Sequence, residues 1–243
     1  MNYKIIAAGA MALACAGAAH AQSAGSFILS TGWFHLSPQD QSSPFTLVSR
    51  GGTTFNDPIA NTGAAVSDAD TIGFTGTYFV TDNIAVEGVM GVPPKFYLSG
   101  EGQLAAFGEL GQVRQWSPTL LLKYYFGQAT QRLRPYLGIG VSRVWFSDAQ
   151  ITNQSFISNV AILNGPTTVS VENKWAAVFN GGFTFQITDH WYAGWSLSYM
   201  PLKTTATLYT PQSQSLVGKL NSVSKADIKL NPIISYINVG YKF

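Results

Sequence analysis

Few side chains in this chain could carry out chemistry, and their spacing limits what that chemistry could be. Nucleophilic catalysis needs a hydroxyl or thiol beside an oriented base. His35-Leu36-Ser37 puts an imidazole and a hydroxyl two residues apart on one face of a strand end, but Pro38 follows and no carboxylate stands nearby in sequence. His190 lies in a short turn next to Trp191 and reads as an interface residue. Cys15 is the only cysteine, and it falls inside an amino-terminal segment with the features of a removed leader. The mature chain is therefore expected to lack thiols and disulfides, and no ligand spacing suits a metal or points to a cofactor.

Charge pairing offers more. Glu87 lies four residues after Asn83, and Lys123 four residues before Gly127, each near the end of a strand and with inward parity. Brought together inside a narrow protein they would neutralise one another, whereas either charge buried alone would be costly. Lys242 is expected beside them, so the three form a candidate polar plug; ordinary filling of a packed interior would place the same residues there.

The elements that position these groups follow from composition. Charged residues make up 11% of the chain, against roughly 25% in soluble globular proteins, so much of the surface is expected to face something other than water. Met1 to Ala21 has a lysine at position 4, an apolar run from Ile5 to Ala19, and Ala19-His20-Ala21 before Gln22. This is the pattern of a secretory signal peptide, with residues 22–243 as a single domain. Beyond it no apolar run approaches the ~20 residues of a membrane helix. A closed barrel is then the spanning structure that remains, because lipid tolerates no unpaired sheet edge. The formal net charge of +2 gives no reason to expect a nucleic-acid partner.

Two-residue alternation marks eight strands. The last is the clearest: Ile233, Ile237, Val239, Tyr241 and Phe243 share one face, which only Ser235 interrupts. The others are expected over Phe27–Leu36, Thr71–Val80, Ile84 toward Pro93-Pro94, Leu120–Phe126, Arg134–Asp148, Lys174–Ile187 and Trp191–Thr207. Arg143 falls on the outward face, which predicts a bulge there or a position above the lipid band. Thr81-Asp82-Asn83, Gly127–Arg132 and Thr188-Asp189-His190 are short turns, and 37–70, 100–111, 149–173 and 209–225 are read as long loops. The fold class is thus all-β, an eight-stranded antiparallel transmembrane barrel with three periplasmic turns and four extracellular loops.

Several of these segments resemble the OmpW family of outer-membrane proteins. They are Thr81-Asp82-Asn83-Ile84 with Glu87, Pro118-Thr119-Leu120 running to Tyr124-Tyr125-Phe126-Gly127, Arg134-Pro135-Tyr136-Leu137-Gly138, Tyr199-Met200 with Thr204-Thr205-Ala206, and the terminal Gly240-Tyr241-Lys242-Phe243. The resemblance implies a hydrophobic channel for small apolar molecules that leave sideways into the membrane, and it does not extend to the long loops. Physics gives its own reason for a sideways exit, since eight strands enclose an interior only just wide enough for side chains. Inward residues expected to line the path are Val89, Leu121, Val144, Met200, Ile234 and Tyr236. Pro93, Pro118 and Pro232 lack the donor that would bond to a neighbouring strand, so they mark a candidate gap in the wall. Expected partners are outer-membrane lipid, small hydrophobic solutes, and the barrel-assembly machinery through Tyr241 and Phe243. A structural or adhesive barrel and a lipid-modifying enzyme are the other function classes this sequence admits.

If the terminal strand is the closure and assembly signal, deleting Phe243 leaves the protein secreted but poorly inserted. The mobility of unheated outer-membrane samples on gels checks this, because a folded barrel migrates differently from its unfolded chain.

Overall fold

Eight strands, each with one apolar face, close on themselves in the computed structural model, which describes residues 22–159, 164–215 and 218–243. The expected leader, residues 1–21, lies outside the described residues. The barrel strands are β1 (Phe27–Ser37), β2 (Ala69–Phe79), β3 (Ile84–Gly91), β4 (Thr119–Tyr125), β5 (Leu133–Ile151), β6 (Lys174–Gln186), β7 (Trp191–Tyr199) and β8 (Ile233–Lys242). Each is antiparallel to the next. The ring closes where β1 pairs with β8, from Ile28 opposite Lys242 to Ser37 opposite Ile233. Closure gives the ladder donors and acceptors partners, as a bilayer demands.

The outward residues expected from alternation form the lipid face: Ile72, Phe74, Leu120, Leu137, Ile139, Phe179 and Ile237 are all exposed. Two polar interruptions of this face have physical reasons. Ser235 accepts a hydrogen bond from the Trp195 indole at 3.1 Å, which satisfies a donor that hydrocarbon could not. Arg143 stands over the Trp175 ring at 5.4 Å, a cation on an aromatic face. The ladder is unbroken at Arg143, and the register shift in β5 comes later, between Ser147 and Gln150. No bulge was needed at Arg143 itself.

The three short turns are as expected, and two of them repeat one device. Thr81 Oγ1 accepts from the amides of Asn83 and Ile84, and Thr188 Oγ1 accepts from those of His190 and Trp191. Asn83 also ties its turn to the next one by donating to the carbonyls of Tyr125 and Gly127 at 2.7 and 2.8 Å.

The long connections differ from the expectation of irregular loops. The first contains strands at Thr46–Arg50, Thr53–Pro58 and Thr62–Val66, and the second is a hairpin of Lys95–Gly102 with Glu109–Trp116. The third continues β5 to Ile151, then holds a short helix, Gln154–Asn159, and a strand, Thr168–Val171. The fourth is a hairpin of Lys203–Ser215 with Gly218–Lys229. Accordingly, Trp191–Thr207 is not one strand: it breaks at Met200-Pro201-Leu202, where proline offers no ladder donor. These extensions enclose an apolar core of Phe45, Leu104, Leu110, Phe156 and Leu208 beyond the barrel. Polar turn formers such as Asn56-Asp57-Pro58 hid this sheet from a reading by composition.

Space inside the barrel depends on glycine at one row. Gly32, Gly73 and Gly91 stand side by side on β1, β2 and β3, and a side chain at Gly73 would run into the ring of Phe34. That ring stacks on Tyr236 with centroids 3.8 Å apart. Replacing Gly73 with Val is expected to displace Phe34 and destabilise the barrel by about 1–3 kcal/mol, the usual cost of overpacking, measurable by urea unfolding in lipid vesicles.

Candidate functional site

The lumen is layered along its axis, and the layers follow from the inward residues of successive rungs. At the short-turn end Phe79, Tyr125, Tyr136 and Tyr192 are buried together. Arg134, 1% exposed, lies among them with its guanidinium 5.3 Å from the Tyr125 ring. It donates to the carbonyls of Gln22 at 2.9 Å and Asp82 at 2.6 Å, so the amino-terminal end of the described chain is tied across this mouth. Sequence reasoning placed Arg134 in a motif but missed its role in the seal. The signal was available, since Arg134 shares inward parity with Tyr136 and Gly138.

Directly above, the expected pair of Glu87 and Lys123 meets. Lys123 Nζ lies 2.6 Å from Glu87 Oε1, Thr77 Oγ1 donates to Glu87 Oε2 at 2.7 Å, and the ammonium stands 4.2 Å from the centre of the Tyr136 ring. The two strands are neighbours, with Leu121 opposite Glu87 and Lys123 opposite Ala85. Lys242 is directed elsewhere: its ammonium interacts with the charge of Asp189, and its carbonyl lies 3.0 Å from His190 Nδ1 in the same short turn. The cavity left around Glu87, Lys123 and Tyr125 measures about 20 Å³, room for roughly one water.

Beyond the plug the lumen opens into a cavity of about 240 Å³. Val89, Leu121, Met200, Ile234 and Tyr236 of the expected lining face it. Val144 is fully buried and packs in the same apolar cluster as Leu121, Val178 and Met200. A second cavity of about 90 Å³, lined by Phe45, Phe96, Leu110 and Leu230 among others, continues toward the long connections. Leu36 and Gln115 line both and mark the junction.

The three prolines separate into two places. The β3–β4 ladder ends at Val89 opposite Thr119, and pairing across this seam resumes only where Gln115 N donates to Pro94 O at 3.2 Å. Between these points Met90–Pro93 faces Trp116–Pro118 without a ladder pair among the described residues. The 240 Å³ cavity reaches this seam, because its lining includes Met90 and Val92, both more than half exposed on the lipid face, along with Trp116, Pro118 and Trp145. Pro232 lies elsewhere: the ladders to β1 and β7 end beside it at Ile233, its carbonyl accepts the Met200 amide at 3.2 Å, and bonding resumes on both sides at once, with Leu230 N donating to Leu202 O and Gln39 N to Leu230 O, each at 2.8 Å. The wall is closed at Pro232, which instead lines the upper cavity. Trp116 and Trp145, stacked at 5.8 Å, were missed from sequence because their partnership needs the unforeseen Glu109–Trp116 strand.

The residues with catalytic potential do not assemble. His35 Nδ1 lies 2.8 Å from Asp70 Oδ1 and Nε2 faces Asp68 at 3.9 Å, so both ring nitrogens meet carboxylates. Neither bonds Ser37 among the described residues. Asp70 is the carboxylate that was not apparent in sequence; it also accepts from the Trp33 indole at 3.0 Å. At the other end Phe243 lies against Phe27 and Tyr241, and Tyr241 against Trp191, in an aromatic band.

Comparison with known proteins agrees with this architecture. The model of the OmpW family matches residues 23–243. The chain is 29% identical to outer membrane protein W of Vibrio cholerae, covering 90% of this chain and 89% of that protein. It is 28% identical to outer membrane protein AlkL of Ectopseudomonas oleovorans, over 76% of this chain and 71% of that one. The crystal structure of the outer membrane protein OprG from Pseudomonas aeruginosa superimposes with a TM-score of 0.76 at 27% identity, covering 92% of this chain and 98% of that one.

The plug makes a direct prediction. Glu87→Ala is expected to cost about 3–5 kcal/mol by leaving Lys123 buried without its carboxylate, and adding Lys123→Ala to recover part of that loss. A double-mutant cycle of urea unfolding in vesicles measures the coupling, which is absent if the two side chains act independently.

Proposed function

The chain belongs to the OmpW family, and from that premise we propose that this outer-membrane barrel is a channel for passive uptake of small hydrophobic molecules, released sideways into the membrane. The observation that carries this reading is the cavity of about 240 Å³, whose lining runs from Leu121, Val178 and Met200 inside the barrel to Met90 and Val92 on its lipid face. A solute enters among the long extracellular connections, where Phe45, Phe96 and Leu110 offer an apolar path. It descends past Leu36 and Gln115 and meets the ion pair of Glu87 and Lys123. Below that pair there is no room, so the solute leaves between β3 and β4, where Pro93 and Pro118 flank the unpaired seam. Apolar transfer drives the whole route, since bilayer and lumen both remove the solute from water.

In this reading residues 1–21 are removed on export, and the terminal strand with Tyr241 and Phe243 engages the barrel-assembly machinery. The aromatic contacts of Phe243 with Phe27 and Tyr241 support its importance at the closing seam. A second reading, a barrel whose extracellular sheet binds outside partners, draws on one feature: the strand Thr53–Pro58 is exposed along its whole length at a sheet edge, and an open edge is a template for pairing.

Replacing Pro93 and Pro118 by Val restores a donor into the seam at position 93 and relaxes the strand at position 118, whose carbonyl faces β5 by accepting from Arg143 N at 3.1 Å. Uptake of a long-chain alkane by cells carrying this correctly inserted variant is expected to fall several-fold, with passage of a small hydrophilic sugar low before and after. Unchanged alkane uptake would rule out the sideways route, and brisk sugar passage through the parent would favour an ordinary water-filled pore.

A further inference from the structure

Among the described residues the two lumen cavities share Leu36 and Gln115 alone as lining, and the second of these is out of keeping with its surroundings. Around the junction the inward side chains are apolar: Leu36, Ala69, Phe96 and Val113 are buried together, with Phe146 and Ile234 packed against them. Gln115 follows Val113 on the inward face of the Glu109–Trp116 strand, opposite Phe146 of β5, and is 4% exposed. Its backbone is engaged, since Gln115 N donates to Pro94 O at 3.2 Å where the seam ends. Its side chain is not: among the described residues neither Oε1 nor Nε2 has a hydrogen-bond partner. The unpartnered polar atoms that are sealed from open space lie elsewhere, as at Gln22 Oε1 and Asn180 Oδ1, so the free amide of Gln115 opens onto the lumen.

Buried polar groups are nearly always satisfied, and an amide kept without partners among apolar walls is costly. Gln115 also stands where the upper cavity, the lower cavity and the top of the seam adjoin. We propose that Gln115 is the specificity-determining residue of the uptake path, and that its side-chain amide takes the head of an apolar solute ending in a primary carboxamide. This rests on the uptake reading above and names the solute class it favours. Gln115 presents a donor and an acceptor side by side. The solute N–H donates to Oε1 and its carbonyl accepts from Nε2, so the two groups close a pair of hydrogen bonds. With the head held there, the chain lies in the lower cavity along Leu121, Met200 and Ile234 toward Trp116 and Pro118.

Other solutes satisfy this group less well. An alkane fills the same space and leaves both amide atoms bare. A tertiary amide accepts from Nε2 but has no donor for Oε1. A carboxylate repels Oε1 and enters the apolar junction as an unpaired charge, because the cations Arg114 and Lys123 are already held by Asp148 at 3.4 Å and Glu87 at 2.6 Å. Selection therefore runs by the match of donor to acceptor. The cavity volume of about 240 Å³ exceeds the ~150 Å³ apolar cavities that hold a benzene, so size alone does not exclude the chain of an octyl compound.

The test is NMR titration of the folded full-length mature barrel in lipid nanodiscs with octanamide, N,N-dimethyloctanamide and n-octane, each at matched concentration in the bilayer. Shifts of the Gln115 side-chain amide and of the Leu121 and Ile234 methyl groups report lumenal binding. Octanamide is expected to bind roughly tenfold more tightly than its dimethyl analogue, the equivalent of one hydrogen bond to a buried group, with octane weakest. Gln115→Met keeps the length of the side chain and removes both hydrogen-bonding atoms, and it is expected to bring the three solutes level by weakening octanamide and admitting octane. The comparison of the two amides is made in the unmodified barrel, so the test survives if Gln115→Met fails to fold. Equal lumenal binding of the two amides in the parent, or a preference that persists in Gln115→Met, overturns the role of Gln115 and leaves the uptake reading standing. Absence of lumenal binding by all three solutes overturns both.

Discussion

Everything in this structure depends on one constraint, that a backbone crossing hydrocarbon must find its hydrogen-bond partners within the protein. Eight antiparallel strands meet that constraint by closing β1 on β8 through ten paired positions, Ile28 to Ser37 against Lys242 to Ile233. The same constraint gives weight to the exception. Between Val89 and Pro94 the β3 side of the wall has no ladder to the β4 side, and proline stands at position 93, where a donor would otherwise point into the seam, since its neighbour Val92 donates the other way to Ile72. A break of this kind is tolerable only where side chains or a solute cover it. The Trp116 and Trp145 rings and the Arg114 side chain, which donates to Pro93 O at 3.4 Å, lie around it.

Closure with only eight strands also dictates what the lumen can be. Inward side chains nearly fill it, so a through-going water path would require leaving out a layer. Here no layer is left out at the periplasmic end. Arg134, the tyrosine cluster and the pair of Glu87 with Lys123 occupy successive levels, Arg134 donating to the carbonyls of Gln22 and Asp82 and Glu87 holding Lys123 and Thr77. Glycines at 32, 73 and 91 yield space higher up, where Phe34 and Tyr236 stack. The channel-like volume is thus confined to the half of the barrel that contains the seam, which couples the closed floor to the sideways opening proposed for the solute.

The extracellular extensions do more than connect strands. Two hairpins and the continued β5 carry the sheet beyond the membrane and bury Phe45, Leu104, Leu110 and Phe156 in a core of their own. An apolar lining in a region bathed by water is stable because it is enclosed by paired strands rather than by loops. Under the proposed uptake, a greasy solute meets this dry surface before it reaches the bilayer.

By itself the sequence determined which residues face lipid, where the chain turns back, and that Glu87 and Lys123 must meet. Each of these is local: alternation with a period of two sets the face, Thr-Asp-Asn and Thr-Asp-His make the turns, and a strand's distance from its turn sets its level in the barrel. It also carried the family resemblance that the comparisons bear out. Tertiary structure decided the rest. Only the contacts of the last short turn show that Lys242 sits there with Asp189 and His190, and only the backbone bonds show that Pro232 lies in a closed part of the wall while Pro93 and Pro118 share an unpaired seam. The sheet hidden in the long connections and the stacked Trp116 and Trp145 likewise depend on which strands become neighbours. Alternation reports a residue's own face, but not what stands across from it, because pairing between strands far apart in sequence is settled by the closure of the whole ring.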